Sequence, residues 1–185
     1  QLDPLGTSVT TACSYTPADK GYGIRAAIWA GAHLDAEPAP VLFDRGLVAP
    51  GVDAGYADNG SAFGGKAFPG TVGQYNPGSQ PFLKVNRHGE RFMNESQEYD
   101  NASHASFQQP GHVYAMIHDA NFRSDVDRFH TIGCSALTRY IPGMMEGQLE
   151  QYEGEGLIMK ADTIEELADK MGFTGADKDN FVATV

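Results

Sequence analysis

Cysteine, basic charge and long apolar runs are all scarce in this chain. Its 185 residues include two cysteines, Cys13 and Cys134. Two are too few for a disulfide framework, and their spacing matches no metal knuckle, so both are expected to be buried free thiols. Lys and Arg number 13 against 24 Asp and Glu, a formal charge of −11. That balance argues against nucleic-acid binding, where neutralised phosphates supply most of the affinity. A local arginine cluster can still draw a small anion at short range. No apolar run approaches the roughly 20 residues needed to cross a bilayer, so no membrane span is expected. Also missing are a GxGxxG turn, a GxxxxGKS/T loop, HExxH and CxxC, which removes the short motifs that carry phosphate or metal chemistry. The six histidines never pair at i,i+4 beside a third ligand, so no metal centre is expected.

What is present suits a folded domain: 41% hydrophobic and 20% charged residues over a length that can bury a core. The chain opens at Gln1 and closes on "DKDNFVATV", where Asp177 reads as the cap of a helix barely begun. The expectation is a piece of a longer protein, with residues 1–36 a connecting segment and 37–185 a truncated domain.

Local patterns predict a mixed order of elements. "TPADKGYGIRAAIWAGA" (16–32) reads as a helix capped near Asp19 and closed by Gly31, with Ile24, Ala27, Ile28 and Ala32 on a core-facing stripe. Residues 37–80 are rich in Gly, Pro and Asn and show little periodicity, which suits a functional loop or one held against a partner, with a plain surface excursion the alternative. "PFLKVN", "RHGE" and "RFMNE" (81–95) read as strand, turn and returning strand, with Gly89 able to take positive φ. A short helix from near Ser96 ends at Pro110-Gly111, and "HVYAMIHD" reads as a strand. A helix begins just after Asp119, and "LEQYEGEGLIMK" reads as a turn and short strand. "ADTIEELADKMG" is a helix with a Thr163/Glu166 capping box and a Gly172 stop. Without a regular βαβ repeat, the class is α+β. Asp119 and Arg123 stand at i,i+4, where an ion pair is the simple reading, although an Arg in that place can bind a carboxylate through its guanidinium fork.

Three stretches taken together, "GYGIRAAIWAGA", "VNRHGERFMNE" with "YDNAS" behind it, and "ADTIEELADKMG", resemble the flavoprotein family of fumarate reductases, succinate dehydrogenases, urocanate reductases and 3-ketosteroid dehydrogenases. "QQPGHVYAMIHDANF" is similar to reductases of anaerobic bacteria. The resemblance implies the cap domain that covers the substrate, with FAD held mostly by an FAD-binding domain of the same parent chain. It implies hydride transfer through flavin N5 and an alkene or enone as substrate. It implies that Arg123 is the proton donor, that Glu95 belongs to a proton relay, and that Asn94 lies on the face over the substrate. Arg45 is a candidate substrate contact in a segment that departs from the family, where stabilising a turn with Asp44 is the simpler reading. For Glu95 the alternative is a carboxylate at a helix N-terminus, favoured by the dipole. The sequence departs from the family pattern at Tyr99, which precedes Asp100 where a relay arginine is usual, and around "VLFDRGLVAPG" (41–51), where a substrate-binding histidine is replaced. A steroid-dehydrogenase-like flavoenzyme and a non-catalytic ligand-binding module are the alternatives. Location is left open between cytoplasm and cell envelope.

Overall fold

The computed structural model describes residues 21–34, 47–53, 57–58, 66–67, 80–129 and 142–185. Cys13, Cys134, Asp19 and Arg45 lie outside them. Among the described residues the elements run α1 (Tyr22–Trp29), β1 (Ala57–Asp58), β2 (Lys66–Ala67), β3 (Leu83–Val85), α2 (Tyr99–Phe107), β4 (Ala115–Ile117), α3 (Phe122–Arg128), α4 (Pro142–Gly154), α5 (Ile164–Lys170) and α6 (Gly175–Thr184), with a 3₁₀ turn at Pro110–His112. The class is α+β. No helix among the described residues is long and apolar enough to cross a membrane.

The organising element is the antiparallel ribbon β3–β4, with Leu83 opposite Ile117, Lys84 opposite Met116 and Val85 opposite Ala115. Side chains alternate across a strand, so the ribbon offers two faces. One carries Val85 and Ile117 and packs with Ala168 of α5 and Phe181 of α6, joined by Leu83, Ala115, Leu167, Phe173 and Val182. Phe82 stands at the head of the other, among Phe122 of α3 and Leu149 and Tyr152 of α4, with Met116 and Phe129 against them. Each apolar side chain buried this way contributes about 1.5–3 kcal/mol. A ribbon of two short strands is marginal alone, and burying both faces is what sustains it.

The "RHGE" turn closes as its residue types require. Asn86 N–H donates to Glu90 O at 2.9 Å and Gly89 N–H to Asn86 O at 3.1 Å. The Asn86 side-chain oxygen accepts from His88 N–H and Glu90 N–H. Gly89 sits at φ 74. Beyond the turn the structure departs from expectation. The returning strand shrinks to a single bridge, Val85 to Arg91, and the strand partner of β3 is β4. The chain that follows the turn covers β3 with side chains instead of backbone.

Four further expectations are corrected. Among the described residues the stripe on α1 meets no core: Ile24 is 59% and Ile28 42% exposed, and Ala27 and Ala32 are exposed too. Helical periodicity specifies a face without specifying what covers it. The segment "LEQYEG" belongs to α4, and residues 157–160 form no strand. Its acidic and Gly-containing composition hid a helix whose apolar anchors are Leu149 and Tyr152. The helix after Ser96 begins later, at Tyr99. The final helix starts at Gly175 with Thr174 as N-cap, so Asp177 lies in its first turn. The Thr163 cap is as read: Thr163 Oγ1 accepts from Glu166 N–H at 3.1 Å, and Glu166 Oε2 accepts from Asp162 N–H at 3.3 Å.

Candidate functional site

Arg123 and Glu95, the two residues assigned proton chemistry by the resemblance, both attach to the ribbon but face different partners. Arg123 lies in the first turn of α3, directly beyond β4. Its Nε donates to Glu146 Oε1 at 2.6 Å and its Nη2 to Glu146 Oε2 at 2.7 Å. This is a side-on, bidentate guanidinium–carboxylate pair of the strong, geometrically specific kind. Glu146 belongs to α4, so the pair ties α3 to α4 across 23 residues of sequence. The expected Asp119–Arg123 pair is not what the structure builds. Asp119 instead accepts from Asn121 N–H at 2.8 Å and Asn121 Nδ2 at 3.1 Å, holding the turn into α3.

The Arg123 guanidinium also lies 4.5 Å from the centre of the Phe122 ring. The hydrogen bond to Glu146 holds the Arg123 pKa above its ordinary value, and the same bond, helped by Lys160, holds the Glu146 pKa below its own. Both partners are about half exposed, with 47% and 40% of their side chains accessible, so solvent and small solutes reach them.

His118 completes this end of the ribbon. Its ring packs 4.5 Å from Phe122 and 5.2 Å from Phe82, centre to centre. Nδ1 lies 3.1 Å from Asp119 O. A carbonyl oxygen only accepts, so Nδ1 carries the proton and Nε2 is left as the acceptor nitrogen. Burial lowers the His118 pKa, against the opposing pull of Asp119, and nearby Arg123 lowers it further. A neutral imidazole therefore sits beside a permanent cation.

Glu95 serves a different place. Its Oε1 accepts from Lys84 N–H at 3.1 Å and from Arg91 Nε at 3.0 Å. Arg91 Nη2 closes the pair on Oε2. Only 6% of the Glu95 side chain is exposed. Desolvation pushes its pKa upward, but the Arg91 and backbone hydrogen bonds outweigh it and hold the carboxyl below its ordinary range. Glu95 is thus the group that satisfies the β3 edge where a returning strand was expected. It is not at a helix N-terminus, since α2 starts at Tyr99. Asn94 is exposed and caps its own turn, its Oδ1 accepting from Ser96 N–H at 3.0 Å.

Sequence reasoning overlooked two partners. Arg91 was recoverable from its i,i+4 spacing to Glu95. Glu146 carried no such signal, because only the packing of α4 on α3 brings it to Arg123. No group of His, Cys, Asp and Glu that could hold a metal ion occurs among the described residues. A flavin dinucleotide needs a glycine-rich strand-to-helix turn whose N–H groups face its pyrophosphate. Here β4 enters α3 through His118–Asn121, which contains no glycine, and β3 runs into the Asn86–Glu90 turn rather than a helix. The described residues do not fit that cofactor's phosphates.

Comparison with known proteins finds a partial similarity to an oxidoreductase. Over 102 residues, 55% of this chain, the sequence is 32% identical to a relative of which that stretch is only 9%. The relative is the NADH:acrylate oxidoreductase of Vibrio harveyi. No family model matches the chain, and no solved structure does.

Proposed function

We propose that this chain is the substrate-covering part of a flavin-dependent oxidoreductase that acts on a carbon–carbon double bond conjugated to a carboxylate or carbonyl. The observation that carries the reading is the 32% identity to an enzyme named for acrylate, the simplest alkene conjugated to a carboxylate. The flavin is held by other parts of the polypeptide, consistent with the poor fit of its phosphates to the described residues.

Within this reading Arg123 is the group presented to substrate. It is a fixed cation at the end of the ribbon, accessible to solvent and oriented by α4. Glu95 acts one step back, as the positioning carboxylate that keeps Arg91 and the β3 edge in place. Asn94 is assigned to substrate contact by resemblance alone, and Arg45 as a candidate cation in the segment that departs from the family. The buried side chains around Phe82, Phe122 and Leu149 form the dry wall behind Arg123, which strengthens any charge interaction made there.

The test is turnover by the polypeptide that carries this segment. It should contain flavin and oxidise NADH only when acrylate or a related activated alkene is supplied. Arg123→Ala should lower kcat by about 100-fold or more, the usual scale for a group that handles a proton in the transition state. A purified polypeptide without flavin, or one indifferent to every activated alkene offered, would refute the reading. Near-normal turnover by Arg123→Ala would remove Arg123 from the chemistry.

A further inference from the structure

The Arg123–Glu146 pair has a feature that the reaction itself does not require. The carboxylate of Glu146 occupies the Nε–Nη2 edge of the guanidinium, at 2.6 and 2.7 Å. That edge is the one that grips a planar carboxylate in two parallel hydrogen bonds. A small carboxylate anion offers the same two oxygens at the same spacing. The pair is half exposed on both sides, so a small anion reaches it from solvent. Water competes for both partners of a half-exposed pair, so even this bidentate geometry is open to exchange with another carboxylate.

We propose that Glu146 is an internal competitor for the carboxylate-binding edge of Arg123, and that a small monocarboxylate binds there by displacing it. Glu146 then sets specificity as well as orientation. While it is seated, the guanidinium is already neutralised and its proton is held tightly, as the raised Arg123 and lowered Glu146 pKa values indicate. An uncharged alkene gains nothing from expelling Glu146, whereas a carboxylate replaces what it removes. The pair also joins α3 to α4, so displacement exchanges a link within the protein for one to the ligand. The proposal deepens the reading of Arg123 given above and rests on it for the identity of the anion.

The competition is measurable without turnover. Acrylate is titrated against the 185-residue chain labelled at arginine nitrogen, following the Arg123 Nε–H resonance, with acrylamide as the uncharged isostere. Acrylate should move that resonance and acrylamide should not. Glu146→Gln should bind acrylate about fivefold more tightly than the parent chain, the upper end for loss of an exposed ion-pair competitor. Glu146→Asp, one methylene shorter, should fall between the two and serves if the Gln variant fails to fold. Arg123→Lys removes both the fork and its resonance, so acrylate binding to that variant is followed by titration calorimetry and should become undetectable. Equal acrylate affinity in the parent and both Glu146 variants would overturn the proposal, as would unchanged calorimetric affinity in Arg123→Lys. In the whole enzyme the same Glu146 substitution should lower KM for acrylate and leave KM for acrylamide unmoved. A failure of turnover alone would tell against the functional reading, whereas the titration decides the competition at Arg123 separately.

Discussion

Gly89→Ala is the substitution whose effect the structure fixes most closely. Gly89 sits at φ 74, where an L side chain costs about 1–2 kcal/mol. A Cβ there would crowd Asp177 O and Phe181 N and would lie 2.9 Å from Phe181 Cα, all backbone atoms of α6. None of them can swing aside as a side chain would, so α6 must move off by a large fraction of an ångström. Such overpacking costs about 1–3 kcal/mol. The shift also loosens two hydrogen bonds into the turn, Asn180 Nδ2 to His88 O at 3.0 Å and Thr184 Oγ1 to Gly89 O at 2.7 Å, each worth about 1 kcal/mol. The loss comes to roughly 3–5 kcal/mol, comparable to truncating the fully buried Phe181 outright. Urea denaturation followed by far-ultraviolet circular dichroism measures it. Gly172→Ala is the internal control: φ is 82 but nothing lies within 4 Å of its Cβ position, so only the backbone cost of about 1–2 kcal/mol applies. If Gly89→Ala proves no more destabilising than Gly172→Ala, the docking of α6 on the turn is wrong.

Other expectations follow from single contacts. The Glu95 pKa is lowered on folding, so its contribution to stability is present above the unfolded carboxyl value, near pH 4.5, and is lost as pH falls through the folded value. Glu95→Gln should therefore lower stability at neutral pH and flatten the acid limb of a stability-against-pH curve below that value; an unchanged acid limb would show that the Arg91 pair is not formed in solution. Thr163→Ala removes the side-chain cap of α5 and should cost about 1 kcal/mol in thermal or urea unfolding, with Thr163→Ser restoring most of it.

Much of this architecture was legible where the determinant is local. The Thr163 cap, the Gly172 stop and the positive φ of Gly89 are short-range consequences of residue type, and a few neighbouring letters suffice to read them. The pairing of β3 was not legible, because "RFMNE" looks like the nearest strand while the true partner lies at 115–117. Sequence proximity favours a hairpin, but the Arg91–Glu95 clamp satisfies the β3 edge with side chains and removes the need for one. At the candidate site, Arg123 was visible as a residue while its partner was not, since Glu146 reaches it only through the packing of α4. The glycine of the "RHGE" turn was read as a turn former. Its second duty, admitting the backbone of α6, is set by Asp177 and Phe181, far downstream.

That long-range dependence has a consequence for synthesis. The ribbon is complete once Ile117 has left the ribosome, yet one of its two faces stays open until α5 and α6 follow, with Phe181 lying 64 residues later. At roughly 5–20 residues per second the wait is about 3–13 s. Throughout that interval the nascent chain presents Val85 and Ile117 to water and to its neighbours. A stall or premature stop within that stretch would release a chain with an uncovered apolar strip, a ready substrate for chaperones and for aggregation.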